Sequence, residues 1–202
     1  MTWPFLFGEF NERIPLPGGE LVLFRQALSA NLSQEFFQRL RQEINWSQDV
    51  IKVAGRSVKI PRLQAWYGDA SYTYSGLKMQ PLPWTELLLE LKATVEKLSA
   101  ASFNSVLLNL YRDGGGGMGW HSDDEAELGS EPVIASLSLG ATRDFCLREK
   151  KQRSQRLKLE LGSGDLLIMA GQLQVNWQHQ VPKTRRAVGE RINLTFRHVR
   201  EN

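Results

Sequence analysis

Cysteine is almost missing from this chain of 202 residues: Cys146 stands alone. A single thiol excludes an internal disulfide, and its setting in Arg143-Asp144-Phe145-Cys146-Leu147-Arg148 predicts a buried structural thiol in a reducing compartment. Histidine is scarce as well, with three in all, and there is no zinc cluster, P-loop, serine-nucleophile motif or internal repeat. No apolar run approaches the length of a membrane span. The opening Met1-Thr2-Trp3-Pro4-Phe5-Leu6-Phe7 has no basic leader and breaks at Gly8-Glu9. A protein neither secreted nor membrane-bound is expected, cytoplasmic or, in a eukaryote, nuclear. Nor does one sign of charge dominate: 25 Lys and Arg face 22 Asp and Glu, for a net +3. That balance suits a polyanionic partner without requiring one. Hydrophobic residues make up 42% and charged residues 23%, which excludes a disordered chain and fits one domain over 1–202.

What is present alternates between strand and helix patterns. Gly18-Gly19 predicts a turn into a first strand at Leu21-Val22-Leu23-Phe24. A helix follows, with Leu32, Phe36, Leu40 and Ile44 at helical spacing and Asn31-x-x-Gln34 as its capping box. From Val50 to Ile60 the pattern alternates about Ala54-Gly55, a hairpin showing Lys52, Arg56 and Lys59; these either line a phosphate backbone or keep an edge soluble. Pro61 to Gly76 holds Trp66, Tyr67, Tyr72 and Tyr74, and the last two share a strand face, as pocket wall or as core. Pro81-Leu82-Pro83 precedes a second helix starting at Trp84, which buries Leu87, Leu88, Leu91, Val95 and Leu98. Short strands then take over, at 103–111, 133–139, 143–148, 157–161 and 166–169, with turns at Gly140 and Gly162-Ser163-Gly164-Asp165, predicting an all-β core. The polar stretch from Glu149 to Arg156 is a solvated hairpin tip. It can also contact phosphate, as can Lys183, Arg185 and Arg186.

In Met118-Gly119-Trp120-His121-Ser122-Asp123-Asp124-Glu125 a histidine and a carboxylate stand two apart, where they either converge on a metal ion or form a solvated turn. The run Gly114 to Gly117 is expected to let the chain swing them into place. His179 lies in the half-polar strand pattern from Asn176 to Val181. Two imidazoles and one carboxylate make the facial triad of a non-haem Fe(II) oxygenase, with positions open for O₂ and a co-substrate. Only Asp123 has the required spacing; Asp124 and Glu125 do not. In Arg191 to Arg197, Ile192, Leu194 and Phe196 face one way, and Arg191, Asn193, Thr195 and Arg197 the other. Splitting O₂ takes two further electrons, which a metal-bound keto-diacid supplies if a guanidinium clamps its distal carboxylate; Arg191 is the candidate clamp. Period two also gathers Leu107, Asn109 and Tyr111 on one face.

Together, His121-x-Asp123, His179, Arg191-x-Asn193-x-Thr195-x-Arg197 and Asn109-Leu110-Tyr111 resemble the AlkB family of Fe(II)/2-oxoglutarate dioxygenases, from about Pro61 to Arg197 and in the family's order. Trp66-Tyr67-Gly68-Asp69, Tyr72-Thr73-Tyr74-Ser75-Gly76, His121 to Glu125 and Ile134 to Arg143 are most similar to the animal-type alkylated-DNA repair demethylases. The resemblance implies a mainly β fold with flanking helices, α+β. Its core, 103–200, is a double-stranded β-helix or jelly-roll, with an N-terminal extension and helix over 1–49 and a nucleotide-recognition lid over 50–76. It implies Fe(II) on His121, Asp123 and His179. It implies 2-oxoglutarate on Arg191, Asn109, Tyr111, Asn193, Thr195 and Arg197, with Arg197 also among the catalytic residues. Arg62, Tyr72, Thr73, Tyr74, Asp124 and Glu125 are the implied substrate residues, and Tyr74 and His121 sandwich a base. Asp124 and Glu125 read exocyclic groups, orient neighbouring arginines or form a solvated acidic turn.

The implied reaction is oxidative demethylation of 1-methyladenine or 3-methylcytosine in DNA, with RNA as the other target, releasing succinate, CO₂ and formaldehyde. A base cannot reach buried iron while stacked, so it is flipped or taken from a single strand. One departure from the family bears on that choice. A duplex-preferring member carries a bulky aromatic wedge at a hairpin tip, where Val53-Ala54-Gly55 offers a methyl group, so single strands are expected to be favoured. A monomer without an obligate protein partner is expected. The iron and 2-oxoglutarate residues dictate the oxidant and not the target. The alternatives are therefore an oxygenase acting on RNA or protein, and a nucleic-acid-binding module without turnover.

Overall fold

The computed structural model describes residues 11–200 except 54, 55, 70, 71, 75, 76 and 80. In chain order the elements are β1 (Asn11–Leu16), β2 (Gly19–Phe24), α1 (Ala30–Glu43), β3 (Val50–Val53), β4 (Arg56–Lys59), β5 (Leu63–Gly68), β6 (Tyr72–Tyr74), β7 (Leu77–Met79), α2 (Glu86–Ser99) and β8 (Ser105–Tyr111). Then follow β9 (Met118–His121), β10 (Ile134–Gly140), β11 (Arg143–Glu149), β12 (Arg156–Leu161), β13 (Leu166–Ala170), α3 (Leu173–Asn176), β14 (Trp177–Val181) and β15 (Arg191–Arg197). Seven strands form one sheet in the order β1-β2-β13-β10-β15-β8-β5, four form another as β12-β11-β14-β9, and β3-β4 and β6-β7 are two-stranded sheets.

Side-chain alternation turns these sheets into layers. On the large sheet Leu108, Leu110, Leu137, Ile192, Leu194 and Phe196 meet Phe36, Leu40 and Ile44 of α1 and Leu87, Leu88, Leu91 and Val95 of α2. A second core lies between the sheets, where Leu21, Leu23, Ile134 and Leu167 pack on Phe145, Leu147, Leu159 and Trp177. Because β8 and β15 are buried along their whole length, only their parity separates the apolar helix side from the side that faces the small sheet. The result is a mixed α+β fold with an antiparallel core and flanking helices. No helix among the described residues is long and apolar enough to cross a membrane.

Several expectations change in detail. The cap of α1 is Ser29, whose extended backbone (φ −58, ψ 160) aims its hydroxyl at the Leu32 N–H, 3.4 Å away; Asn31-x-x-Gln34 lies within the helix. Thr85 caps α2 in the same way at Leu88, 3.3 Å, so that helix starts beyond Trp84. The edge strand β1, paired along β2, was not expected, since Asn11-Glu12-Arg13 offers no apolar position and Pro15 argues against a strand away from a sheet edge. As β2 pairs with β13 and β5 with β8, the main sheet takes strands from 1–49 and 50–76, not from 103–200 alone. The hairpin expected at Val50 to Ile60 is β3-β4, in register from Val50↔Lys59 to Val53↔Arg56; its tip, Ala54-Gly55, lies outside the described residues. Tyr67 is a core residue whose hydroxyl accepts from Asn45 N. Cys146 is half-buried, because it shares parity with Asp144 and Arg148 while Phe145 and Leu147 fill the core.

Candidate active site

Strand pairing brings the first two ligands together. β9 and β14 are antiparallel neighbours with His121 opposite His179 and a register shift between His179 and Val181. Directly paired residues on one sheet face sit close, and these ring centroids are 4.2 Å apart. His121 ends β9, and the departing chain carries Asp123 round until its Oδ1 is 3.8 Å from His121 Nε2. One ligand atom from each of His121, Asp123 and His179 lies within 4.8 Å of the others.

Neighbouring groups set each ligand's state. His121 Nδ1 donates to Gly119 O at 2.8 Å, the tautomer that leaves Nε2 free to bind a metal. Phe145 stacks on His179 at 5.3 Å. Burial, followed by the nearby His121, pushes the His179 imidazole down to about 3, so it is neutral near pH 7, as a ligand must be. Burial alone would raise the Asp123 carboxyl, but the Arg197 guanidinium and the two imidazoles more than offset this and hold it at about 2. Arg197 grips one oxygen only, with Nη2 at 2.8 Å and Nε at 3.2 Å from Oδ2. Oδ1 is left beside the histidines.

The cavity next to these ligands is walled by Leu107, Asn109 and Tyr111 of β8 and by Asn193, Thr195 and Arg197 of β15, the faces that period two predicted. Arg191 lies deeper, opposite Tyr111 in the ladder, with its guanidinium 5.5 Å from the Tyr111 ring. It is 1% exposed. Its Nη2 donates to Ser138 Oγ at 2.9 Å, whereas Nε and Nη1 are buried with no hydrogen-bond partner among the described residues. Burial lowers its pKa to about 10, opposed by Tyr111, and it stays a cation at neutral pH. Buried donors without acceptors are destabilising, and a carboxylate presenting two oxygens is the group that completes them. The donor set thus fits both a ferrous ion and a dicarboxylate.

Other expected residues lie at varying distances from this centre. Asn193 Nδ2 donates to Ser136 Oγ and Leu137 O. Arg62 is buried and its Nε donates to Asn109 Oδ1 at 2.6 Å; with Lys183 it lines an adjoining groove. Tyr72, Thr73 and Tyr74 form β6, paired to β7 from Tyr72↔Met79 to Tyr74↔Leu77; their side chains lie outside the described part. Asp124 is exposed and ion-paired to Lys150, 3.1 Å, so its partner is a lysine and not an arginine, and it does not wall the cavity. Glu125 is half-buried, with an Oε2 that is buried and has no partner among the described residues.

The glycine run works otherwise than expected. None of Gly114 to Gly117 has a positive φ. A Cβ on Gly114 would meet Thr184 O at 2.5 Å, and one on Gly116 would meet Pro61 O at 2.8 Å, so these positions serve close approach and not freedom to swing. Arg143 holds the run, donating to Asp113 O, Gly116 O and Pro182 O at 3.1, 2.9 and 2.8 Å. Nothing in the sequence marks Phe145 in the site or Arg143 as the brace of the glycine run beyond their parity, which is the inward parity of Leu147 on the same strand. Ser138 and Gln174, also missed, carry no local signal.

The comparisons with known proteins agree with this geometry. The model of the 2OG-Fe(II) oxygenase superfamily matches residues 20–197. The chain is 46% identical over 171 residues to the alpha-ketoglutarate-dependent dioxygenase alkB homolog 3 of Rattus norvegicus, covering 80% of this chain and 58% of that one. It is 38% identical over 190 residues to the DNA oxidative demethylase ALKBH2 of Mus musculus, covering 88% and 78% respectively. The solved structure of OsALKBH1 superposes with a TM-score of 0.67 at 20% identity, covering 93% of this chain and 100% of that one, a likeness of fold alone. The chain spans about 60% of the length of the alkB homolog 3 relatives it matches. On the family model, the relatives and the converging triad together, the chain belongs to the 2OG-Fe(II) oxygenase superfamily and, within it, to the AlkB family.

Proposed function

We propose that this chain oxidatively demethylates N-alkylated bases such as 1-methyladenine and 3-methylcytosine in DNA, using Fe(II), O₂ and 2-oxoglutarate and releasing succinate, CO₂ and formaldehyde. One observation carries the reading: His121, Asp123 and His179 converge on a cavity walled by Tyr111, and against that ring packs a buried Arg191 whose Nε and Nη1 have no acceptor among the described residues. His121 Nε2, His179 and Asp123 Oδ1 would hold the iron, and Arg191 would clamp the distal carboxylate of 2-oxoglutarate, with Asn109, Tyr111, Asn193 and Thr195 around it. Bound iron and co-substrate supply the O₂ activation that oxidises an N-methyl group. The two facing sheets are read as the halves of a double-stranded β-helix, which the site between them supports.

The chain's own groups then have distinct tasks. Arg197 keeps Asp123 ionised and turns Oδ1 to the metal position. Leu107, Met118, Phe145, Met169 and Val181 give the cavity an apolar wall that keeps bulk water from the reacting methyl group. Tyr74 is assigned to stack on the extruded base opposite His121, and Glu125, whose Oε2 has no partner among the described residues, to accept from an exocyclic amino group. Asp124 supports the loop through Lys150. The exposed Lys183, Arg185 and Arg186 and the tip from Lys151 to Arg156 are available to phosphates. A single strand is the favoured partner and a monomer the acting form.

Mass spectrometry of matched single- and double-stranded DNA and RNA oligomers carrying either lesion, after incubation with the protein, Fe(II) and 2-oxoglutarate, tests the proposal. Methyl loss from DNA, fastest on single strands, is expected. Turnover of 2-oxoglutarate with no methyl loss from any oligomer would end it, and methyl loss from RNA alone would move the target to RNA.

A further inference from the structure

We propose that Gln174 is a positioning residue that fixes the Asp123 ligand and references it to the strand carrying His179. The inference rests on the reading of His121, Asp123 and His179 as iron ligands. Gln174 sits on α3, between β13 and β14, and is 1% exposed. Its neighbour Leu173, equally buried, is apolar, and packing alone would be served by the same choice at 174. An amide buried here is destabilising unless both ends are satisfied. Both are: Oε1 accepts from Asp123 N at 3.0 Å, and Nε2 donates to Met169 Sδ at 3.7 Å. Met169 is itself part of the cavity wall.

The same residue reaches the ligand loop by a second route. Its backbone carbonyl accepts from Lys150 Nζ at 2.8 Å, and that ammonium also binds Asp124 Oδ2 at 3.1 Å. Ser122 Oγ donates to Trp177 O at 2.9 Å. Ser122, Asp123 and Asp124 are therefore each tied to the stretch between Gln174 and Trp177, immediately before His179.

That stretch is anchored in turn by the N-terminal hairpin. Trp177 Nε1 donates to Pro17 O at 3.0 Å and Asn176 Nδ2 to Gly18 O at 3.1 Å. A Cβ on Gly19 would stand 2.9 Å from Leu173 Cα, so glycine is what permits this docking. Arg197 orients the Asp123 carboxylate, but the loop that bears it leaves the edge strand β9 and has no ladder of its own. Gln174 supplies the missing constraint on its backbone. A facial site tolerates about 0.5 Å of error in its ligands, and loss of such a supporting group commonly weakens metal binding by about 10- to 100-fold.

The test is Mn(II) titration of the metal-stripped full chain, followed by electron paramagnetic resonance, with thermal melting measured in parallel. Gln174→Leu, which removes the acceptor for Asp123 N–H, is expected to weaken Mn(II) binding by roughly tenfold or more and to raise 2-oxoglutarate consumed per base demethylated. Gln174→Glu keeps an oxygen at the same reach and is expected to bind within about threefold of wild type, well short of that loss. Mn(II) affinity in Gln174→Leu within about twofold of wild type would overturn the proposal whatever its melting temperature, since packing alone moves stability and not affinity. Should that variant not fold, Gln174→Asn, which retracts the acceptor and keeps the position polar, carries the same expectation, and wild-type affinity there overturns it equally. Failure of the wild-type chain to bind Mn(II), or retained binding in His179→Ala, would instead refute the metal-site reading.

Discussion

Most of the metal cavity and the two small hairpins β3-β4 and β6-β7 are alike built from antiparallel strands, yet those strands are held in opposite ways. β15 lies between β10 and β8, and β14 between β11 and β9, so the strands bearing Arg191, Arg197 and His179 are laddered on both sides. β3-β4 and β6-β7 each pair only with themselves among the described residues. A two-stranded ribbon is marginal alone, whereas a central strand is over-determined by its neighbours. The difference fits the proposed division of labour between oxidant and nucleic-acid contact. Oxidant geometry tolerates about 0.5 Å of error, while a surface that meets a varied polymer is better placed at the periphery.

If the division is real, changes in the cavity should stop the oxidant and changes in the hairpins should touch only its coupling to nucleic acid. The largest effect is expected from Asp123→Ala, which leaves two ligands unable to hold iron in the facial geometry. Succinate formation and demethylation should both vanish; near wild-type turnover in metal-controlled assays would sink the site. Arg191→Lys comes next. A point-like ammonium cannot reproduce the planar fork, and the lost charge-assisted bond, about 2 kcal/mol, corresponds to roughly thirtyfold weaker 2-oxoglutarate binding. An unchanged apparent affinity would mean that Arg191 is not the clamp.

Acid sharpens the comparison from another side. Folding depresses His179 from 6.5 to about 3, so below pH 6.5 the unfolded chain holds a proton that the folded one refuses. The His179 contribution to the stability of the metal-free protein is therefore full above about pH 6.5 and declines below it, by on the order of 2 kcal/mol at pH 5. Melting curves of wild type and His179→Asn between pH 7 and 5 check this, and equal slopes would contradict it. Tyr74→Ala should weaken handling of the damaged base by roughly 1 to 3 kcal/mol, one base-aromatic stack, while uncoupled 2-oxoglutarate consumption persists. Loss of both activities together would erase the distinction between the two regions. The smallest effect belongs to Ala54→Phe, which adds a wedge and should raise activity on paired duplexes selectively. Equal rates on single and paired strands in wild type, with no duplex gain in Ala54→Phe, would assign the wedging elsewhere.

Legibility followed the range of the physical rule involved. Parity is local, so the split of β15 into Ile192, Leu194 and Phe196 against Arg191, Asn193, Thr195 and Arg197 was readable, as were the helix stripes and the spacing of His121 and Asp123. Capping was readable only approximately, because Ser29 and Asn31 are both good caps and the backbone decides between them. The glycine run was identified, but its reason was not. Freedom and close approach look alike in a sequence, and only the packing against Pro61 O and Thr184 O separates them.

By itself, then, the sequence determined the inventory of ligands, the faces on which they stand and the family to which that combination points. Tertiary structure decided what each ligand meets. The register that sets His121 opposite His179, the Arg197 fork on one oxygen of Asp123, the packing of Arg191 against Tyr111 and Ser138 and the Gln174 brace all join residues far apart in the chain. No local periodicity encodes such contacts, because they arise only when separate strands and turns are packed into one cavity.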